Sequence, residues 1–440
     1  IQTALAAYTL PPRNSPLTPG QQNAILAGVA RQLILITGGP GTGKTTIAAV
    51  LLEQLHKLAP ENLQLRIRLL APTGKAAARL DESLRHGLPP ALRTQMDLPA
   101  ASTIDRALGY IHNSPYFRHN HLNPLPADIV IVDEASMIDL PKMAKLLDAI
   151  PPRARLILLG DKNQLASVDP GSVMAELCSS PLLQQHAVVE LTESKRFDAT
   201  SAVTPLSQAV RDQNPDLAWQ IASDPSLGDP GKKIILHDSS QIRFNTLPPA
   251  LTTLLKESFT PFKNADTPSA AFAALAQFRV LCALRRGPTG ANTLNRAIED
   301  ILFPHRRGEF YDHRVILITT NDYETRLFNG DIGIILPDPS RNNQLAAHFE
   351  NRPTPVPCHL LPDHETAFAM TIHKSQGSGF HRIAVILPPH PTPLLTRELI
   401  YTAITRTETG VHLWTTQPTF QTAVTTPTNR AMGLAQKLQP

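Results

Sequence analysis

A glycine-rich run constrains this chain more than any other feature. Residues 38–45 read GGPGTGKT and match the pattern G-x-x-x-x-G-K-[ST] of a phosphate-binding loop. An apolar run precedes the loop at residues 33–37, and a helical run follows from Lys44 to about Leu58. A glycine-rich turn formed by chance is the alternative, and the order of strand, loop and helix argues against it. The chain is therefore predicted to be an α/β protein that binds phosphate at the end of a buried strand.

The chemistry of this loop follows from its residue types. Its glycines let backbone N–H groups turn inward around phosphate oxygens, and Lys44 is predicted to reach the β- and γ-phosphates. The Thr45 hydroxyl is predicted to hold Mg²⁺. The predicted phosphate-binding residues are Gly38, Gly39, Pro40, Gly41, Thr42, Gly43, Lys44, Thr45 and Thr46.

The strand–loop–helix order recurs along the chain. Hydrophobic residues make up 42% of the sequence and charged residues 18%, which excludes a disordered chain. Apolar runs at 66–70, 129–132 and 156–159 alternate with helical patterns and predict a doubly wound parallel sheet. Four later runs predict a second α/β domain, with strands at 279–283, 315–319, 383–387 and 411–414.

Two acidic residues end the strand at 129–132. Asp133 is predicted to hold Mg²⁺ and Glu134 to polarise the attacking water, as at a Walker-B site. The alternative is that the pair caps a helix predicted at 137–147. Gln164, after the strand at 156–159, is predicted to contact both the γ-phosphate and nucleic acid; an exposed polar turn is the alternative there.

Charge and composition restrict the partners and the location. Lysine and arginine exceed aspartate and glutamate by 41 − 37 = 4, which permits a polyanionic partner without requiring one. The three scattered cysteines favour a reducing compartment, so we expect a cytoplasmic protein. No apolar run approaches about 18 residues, so no membrane segment is expected.

Other possible sites are weaker. The histidines in the segment YIHNSPYFRHNHLNP could hold a metal, but a polar surface loop is favoured: His112, His119 and His121. Trp219 and Trp414 could stack on bases, although core packing is favoured. Beyond Asp133 and Glu134, no carboxylates resemble a two-metal nuclease centre.

Taken together, the motifs resemble those of a known family. GGPGTGKTT, APTGKAA, VDEAS, GDKNQLASV, TIHKSQGS and YTAITR occur in the order found in superfamily 1 DNA helicases. Longer strings, including APTGKAAARL, RVLCALRRGPTGANTLNRAIE and LPDHETAFAMTIHKSQGS, resemble the RecD family, which includes the alpha subunit of exodeoxyribonuclease V. The resemblance runs from Leu17 to the C-terminus.

The resemblance implies a domain plan. Two RecA-like P-loop NTPase domains with parallel sheets are expected at 17–198 and 199–440, after a linker or the remnant of an N-terminal region at 1–16. The first would carry an irregular insertion at about 84–126. The second would carry a small β-barrel-like insertion at about 320–361 that touches single-stranded DNA.

The resemblance also implies roles for individual residues. Gln21 would read the adenine edge of ATP, and Arg196 and Arg406 would act as arginine fingers on its γ-phosphate. Contacts to the DNA strand would come from Thr73, Lys75, Thr103, Thr371, His373 and Ser375.

The implied activity is ATP- and Mg²⁺-dependent helicase action on single-stranded DNA at a duplex end, with 5′→3′ polarity. RecB-like and RecC-like subunits would complete a heterotrimer for double-strand break repair and DNA degradation, with nuclease activity on a partner. A stand-alone RecD-like or relaxase-type helicase is one alternative. A structural subunit with a silent ATP site is another, and the intact Lys44, Asp133, Glu134, Gln164, Arg196 and Arg406 argue against it.

Overall fold

The described chain divides into two compact units. The computed structural model describes residues 9–10, 15–60, 63–111, 114–166, 171–194, 201–228, 233–244, 246–322, 324–350, 352–428 and 433–437. Unit 1 comprises residues 1–196 and 429–440, and unit 2 comprises residues 197–428.

The C-terminal segment differs from the expectation that 199–440 forms one domain. Its helix at Leu434–Lys437 belongs to unit 1. The Leu434 N–H donates to the Glu176 carboxylate at 2.9 Å, and the Leu434 side chain packs on an apolar cluster of unit 1. An apolar contact and a satisfied carboxylate therefore hold this segment against the first unit.

Unit 1 is built on a six-stranded parallel sheet. Its strands stand in the order β5-β4-β6-β7-β3-β8, after a separate two-stranded ribbon of β1 (Thr9–Leu10) and β2 (Ser15–Pro16). The six strands are β3 (Leu33–Gly38), β4 (Ile67–Ala71), β5 (Ser102–Thr103), β6 (Ile129–Val132), β7 (Arg155–Gly160) and β8 (Val188–Leu191). The helices are α1 (Pro19–Ala30), α2 (Lys44–Leu58), α3 (Gly74–Gly87), α4 (Pro90–Gln95), α5 (Ile104–Leu108), α6 (Leu140–Ala149), α7 (Val173–Ser179) and α8 (Pro181–His186).

Alternation along the strands divides the core of unit 1 into two layers. In β3, Ile34 and Ile36 belong to one buried cluster, whereas Leu35 between them belongs to the other. Both faces are covered, so the central strands are almost continuously apolar, as parallel sheets require. The phosphate loop, Asp133 and Gln164 all follow the carboxyl ends of these strands.

The region predicted as irregular, 84–126, is more ordered than expected. It contains the end of α3, then α4, β5 and α5, whereas the described part of residues 109–126 contributes only two isolated β-bridges. Thr103 begins α5 as its N-cap: its side chain accepts a hydrogen bond from the Arg106 N–H. The elements are too short for hydrophobic periodicity to reveal them.

Unit 2 contains a five-stranded parallel sheet in the order β16-β10-β17-β18-β9. Its strands are β9 (Ile234–Asp238), β10 (Phe278–Cys282), β16 (Ala369–Thr371), β17 (Phe380–Ile386) and β18 (Thr407–Thr415). One group of helices contacts β9 and β18: α9 (Val203–Arg211), α10 (Pro215–Ser223), α14 (Arg397–Ile404) and α15 (Gln417–Thr425). A second group lies against β10, β16 and β17 or against each other: α11 (Pro249–Lys263), α12 (Pro268–Gln277) and α13 (Ala291–Leu302).

The insertion in unit 2 is an open antiparallel sheet, so the expectation of a barrel is corrected. Its order is β14-β13-β12-β11-β15, and β14 and β15 are unjoined edges. The strands are β11 (Arg314–Ile318), β12 (Ile332–Asp338), β13 (Gln344–Phe349), β14 (Arg352–Pro357) and β15 (His364–Thr366). The run at 315–319, predicted to lie in the parallel sheet, is β11, which pairs antiparallel with both β12 and β15. The sequence of an apolar strand does not by itself indicate which sheet the strand joins.

Candidate active site

The phosphate loop lies between β3 and α2 with the backbone that its glycines allow. Gly41 and Gly43 have φ angles of +78° and +83°, a left-handed conformation that costs glycine little. A Cβ on Gly43 would come within 2.9 Å of Gln21 Nε2, so space as well as backbone conformation requires glycine there. In this structure Lys44 Nζ donates to the Gly38 and Gly39 carbonyls at 2.6 and 3.0 Å.

Side chains from other elements brace this loop. Gln21 is 2% exposed, and its Nε2 donates to the Thr42 carbonyl at 3.0 Å. Its Oε1 accepts from the Thr18 N–H in a capping box that begins α1. Ser194, which sequence reasoning missed, donates to the Pro40 carbonyl at 2.8 Å. The proposed adenine contact of Gln21 therefore requires its amide to leave the phosphate loop.

A hydroxyl and a buried carboxylate meet beside the loop. Thr45 Oγ1 lies 3.4 Å from Asp133 Oδ2, although the two residues are 88 positions apart. Burial, and next the charge of Glu134, raise the pKa of Asp133 to about 6, while Lys44 opposes the shift. A cation at this point would offset the buried charge. The donor set of hydroxyl and carboxylate oxygens fits Mg²⁺.

The alternative in which Asp133 and Glu134 cap a helix is excluded. The helix predicted at 137–147 is α6, and its N-cap is Asp139, which accepts from the Lys142 N–H at 2.7 Å. A short 3₁₀ turn, Ala135–Met137, intervenes. Glu134 has φ +51° and ψ +39°, an uncommon left-handed conformation for a residue with a Cβ. The acidic pair is thus free of a capping role.

Gln164 is buried, so the exposed polar turn is also excluded. It is 7% exposed, and its Nε2 donates to the Asp161 carboxylate at 3.1 Å. The Lys162 N–H donates to Thr37 Oγ1 at the end of β3. The loop after β7 is therefore hydrogen-bonded to β3, the strand that precedes the phosphate loop. This bond connects the loop of Gln164 with the phosphate loop.

Arg406 follows α14 in unit 2 and is 4% exposed. Its Nε donates to the Thr402 carbonyl and its NH1 to the Ser378 carbonyl, each at 3.2 Å. In this conformation the guanidinium bonds the main chain of its own unit, including the turn after TIHKSQG. The other predicted finger, Arg196, lies outside the described residues.

The predicted DNA contacts differ in accessibility. Thr73 and Thr103 are half-buried N-caps of α3 and α5, so each hydroxyl already accepts a backbone N–H. Thr371 and His373 are half-buried at the end of β16 and in the turn after it, and Lys75 is half-buried near the start of α3. Ser375 is fully buried, and its hydroxyl donates to the Ile372 carbonyl at 2.7 Å. Its side chain has no access to a DNA strand in this conformation.

Asn295 was missed by sequence reasoning and binds the segment that enters β16. Its Nδ2 donates to the Thr366 and Ala369 carbonyls at 2.7 and 2.9 Å, and its Oδ1 accepts from the Ala369 N–H. A pattern pointed to it: Asn295 interrupts the apolar face of α13 formed by Leu294, Ile298 and Leu302. A buried amide at such a position needs partners.

The weaker candidates behave as ordinary structure. His119 and His121 are surface residues bonded to the Asn123 carbonyl and to Asp148 respectively. His112 lies outside the described residues. Trp414 is 1% exposed and stacks on His237 with ring centroids 3.9 Å apart, which confirms core packing for that residue. None of the helices in the described ranges combines the length and apolarity that a membrane crossing needs.

Comparison with known proteins extends these observations. A family model described as an AAA domain matches residues 21–170, and one described as a UvrD-like helicase C-terminal domain matches residues 366–414. The RecBCD enzyme subunit RecD of Haemophilus influenzae is 35% identical over 97% of this chain and 73% of that protein. RecD of Mycolicibacterium smegmatis is 37% identical, over 96% of this chain and 75% of that protein.

A related helicase also matches, over less of its length. The ATP-dependent RecD2 DNA helicase of Deinococcus radiodurans is 31% identical over 88% of this chain and 47% of that protein. The matched region of this chain carries the phosphate loop, the Asp133–Glu134 pair and the loop of Gln164, each at a strand end of one parallel sheet. By identity and coverage, this chain belongs to the RecD family of ATP-dependent DNA helicases.

Proposed function

We propose that this helicase is a 5′→3′ motor on single-stranded DNA that works beside RecB-like and RecC-like subunits. One observation carries the motor: Lys44, Thr45, Asp133 and Gln164 converge at adjacent strand ends of unit 1. A silent ATP site does not need a buried carboxylate beside the Thr45 hydroxyl, where its charge is costly unless a cation offsets it.

The residues of unit 1 divide the work of hydrolysis. Lys44 leaves the Gly38 and Gly39 carbonyls and binds the β- and γ-phosphates. Thr45 and Asp133 would hold Mg²⁺, which would supply positive charge beside the phosphates. Glu134 accepts a proton from the water whose oxygen attacks the γ-phosphorus, while the bond to the ADP oxygen breaks. Gln21 turns from Thr42 to the adenine edge.

Unit 2 contributes positive charge at the γ-phosphate and a turn that is proposed to contact DNA. Arg406 of unit 2, together with Arg196, which precedes unit 2 in the chain, stabilises charge that develops on the γ-phosphoryl group. The carbonyls of Thr402 and Ser378 would each lose the hydrogen bond from Arg406 when the guanidinium moves to phosphate. Since Ser378 lies in the turn after TIHKSQG, this exchange links nucleotide state to that turn.

Grip on DNA comes from loops of both units. Thr73, Lys75 and Thr103 in unit 1, with Thr371 and His373 in unit 2, are proposed to contact the sugar–phosphate backbone without reading sequence. Ser375 acts through its bond to the Ile372 carbonyl, which shapes the turn.

The partners follow from the relatives. Two of them are named as RecBCD subunits, at 35% and 37% identity, whereas the RecD2 helicase is 31% identical. The matched share of each relative's own length, 73% and 75% for the two RecBCD subunits against 47% for the RecD2 helicase, favours the complex over a stand-alone helicase. Purification of the natural complex decides the point: RecB-like and RecC-like chains should co-purify in equal amounts, and a chain that purifies alone with full unwinding activity contradicts it.

The motor is tested with Glu134→Gln. We expect the variant to bind ATP and single-stranded DNA but to hydrolyse about 10²- to 10⁴-fold more slowly, because the water loses its proton acceptor. Glu82→Gln, an exposed change on α3, is the matched control and should keep wild-type rates. Unwinding of duplexes with a single 5′ or 3′ tail tests polarity. Full hydrolysis by Glu134→Gln contradicts the assignment.

A further inference from the structure

One carboxylate in unit 2 bridges two cations. Glu365, on β15, accepts from Lys374 Nζ at 2.6 Å through Oε1 and from Arg285 NH2 at 3.0 Å through Oε2. Their side chains are 27%, 30% and 61% exposed respectively. The three residues come from three segments: the edge strand of the insertion sheet, the 3₁₀ turn at His373–Ser375, and the loop between β10 and α13.

The bridge stands on a rigid base. β15 pairs with β11 through Glu365 opposite Leu317. The residues that follow Glu365 are held from two sides: Asn295 bonds the backbone at Thr366 and Ala369, and Arg279 donates to the Ala367 carbonyl at 2.7 Å. Glu365 is thus positioned by buried hydrogen bonds rather than by its ion pairs.

Stability is a weak explanation for this arrangement. Exposed ion pairs contribute little to folding, and a single cation would neutralise one carboxylate. Arg285 and Lys374 together leave one excess positive charge at an accessible surface. Lys374 also follows His373 directly, and its backbone N–H donates to Thr371 Oγ1 at 3.4 Å. Lys374 therefore lies within the turn already proposed to contact DNA, and Arg285 joins it through Glu365.

A phosphodiester resembles the carboxylate in its negative charge and in the hydrogen-bond donors that it needs. It carries one negative charge over two non-bridging oxygens, and both lysine and arginine bind such oxygens with charge-assisted hydrogen bonds. We propose that Arg285 and Lys374 form a site for one backbone phosphate of single-stranded DNA, which Glu365 occupies as an internal competitor until DNA displaces it. This inference rests on the proposed function.

The test measures affinity for a fluorescent oligothymidylate as a function of salt, with the full chain. Glu365→Gln should tighten binding about threefold to tenfold at low salt, because the competing charge is lost. Arg285→Ala with Lys374→Ala should weaken binding about tenfold and reduce the slope of log affinity against log salt by about 0.7, the value for one phosphate on a single strand. Thermal unfolding of each variant checks the fold.

The decisive experiment combines the substitutions at Arg285, Lys374 and Glu365. In the Arg285→Ala, Lys374→Ala background, Glu365→Gln should give no further gain, since no cations remain to be released. Asp300→Asn makes the same charge change on α13, where Asp300 pairs with Arg306, and should alter affinity by no more than about twofold. A wild-type-like affinity for Glu365→Gln, or a gain that persists without the two cations, overturns the inference. A wild-type chain that binds no oligothymidylate overturns the proposed function as well.

Discussion

The two units carry similar loops that do different work. In unit 1 the loop from β3 to α2 has left-handed glycines at 41 and 43 and a lysine at the first helical position. In unit 2 the loop from β10 to α13 reads ALRRGPTG, with a left-handed glycine at 287 and an alanine, Ala291, at the first helical position. The strand–loop–helix order is the same, yet only the first loop is a phosphate loop.

The backbone explains the difference. In the second loop the N–H groups of Gly290, Ala291 and Asn292 donate to carbonyls of residues 287, 284 and 285 at 2.9–3.1 Å. These amides close the turn on itself and cannot cradle an anion. The loop instead offers a side-chain cation, Arg285. Similar topology therefore yields a nucleotide site in one unit and a candidate DNA-backbone contact in the other.

The largest expected effect tests the lysine that the first loop alone possesses. Lys44→Gln should reduce ATP hydrolysis by about 10³-fold or more, because the β- and γ-phosphates lose their cation. Its free energy of unfolding should change by only about 0.5 kcal/mol, since the side chain leaves a half-buried loop. Lys57→Gln, near the other end of α2 and paired with Glu53, is the control for DNA-stimulated ATPase. Near-normal ATP hydrolysis by Lys44→Gln would contradict the proposal that only the loop of unit 1 binds the phosphates of ATP.

The next effect tests whether unit 2 lends charge to unit 1. Arg406→Ala should cut DNA-stimulated hydrolysis by about 10³-fold while ATP affinity changes modestly. It also leaves the Thr402 and Ser378 carbonyls without this donor, so the free energy of unfolding should fall by about 1–3 kcal/mol. Arg406→Lys should restore little activity, because a point charge does not reproduce the planar fork. Steady-state ATPase with and without single-stranded DNA separates these effects, and full DNA stimulation in Arg406→Ala would refute the finger.

A smaller effect tests the helix after the second loop. Asn295→Ala should lower the free energy of unfolding by about 3 kcal/mol, because two carbonyls and one N–H lose a buried partner. Asn292→Ala is exposed on the same helix and should change stability by about 0.5 kcal/mol or less. Urea unfolding of both variants gives the comparison. Equal stability would mean that α13 does not hold the entrance to β16.

The smallest effect compares one glycine from each loop. Gly287→Ala should cost about 1 kcal/mol, from the left-handed backbone alone, because a Cβ there meets no atom within 4 Å. Gly43→Ala bears similar strain and also pushes on Gln21 Nε2 at 2.9 Å, so it should impair ATPase as well as stability. Denaturant unfolding and ATPase on both variants check this. A Gly43→Ala enzyme with unchanged ATPase would contradict the tight packing of Gln21 against the loop.

Much of the nucleotide site was predictable because its parts are local. The glycine pattern, the acids after β6 and the glutamine after β7 each follow a buried strand within a few residues, and parallel strands bring their carboxyl ends to one edge. What the pattern could not reveal is how each side chain is used. The capping alternative at Asp133 is excluded because Asp139 caps α6, and the polar-turn alternative at Gln164 is excluded because Gln164 is buried.

The second unit was less predictable because its contacts are remote in sequence. The apolar run of β11 reads the same in a parallel or an antiparallel sheet, and its pairing with β12 and β15 was decided by the tertiary fold. The same holds for Glu365, whose partner Arg285 is 80 residues away.

By itself, the sequence determined the family, the two α/β units and the candidate catalytic groups of unit 1. These depend on residue type at short spacing and on hydrophobic periodicity, which operate along a few turns or one strand. Only the tertiary structure decided the open antiparallel sheet, the buried bond from Arg406 to the Ser378 carbonyl, and the bridge at Glu365. Each of these arises where segments far apart in the chain satisfy one another's hydrogen bonds and charges, and no local pattern encodes which segments will meet.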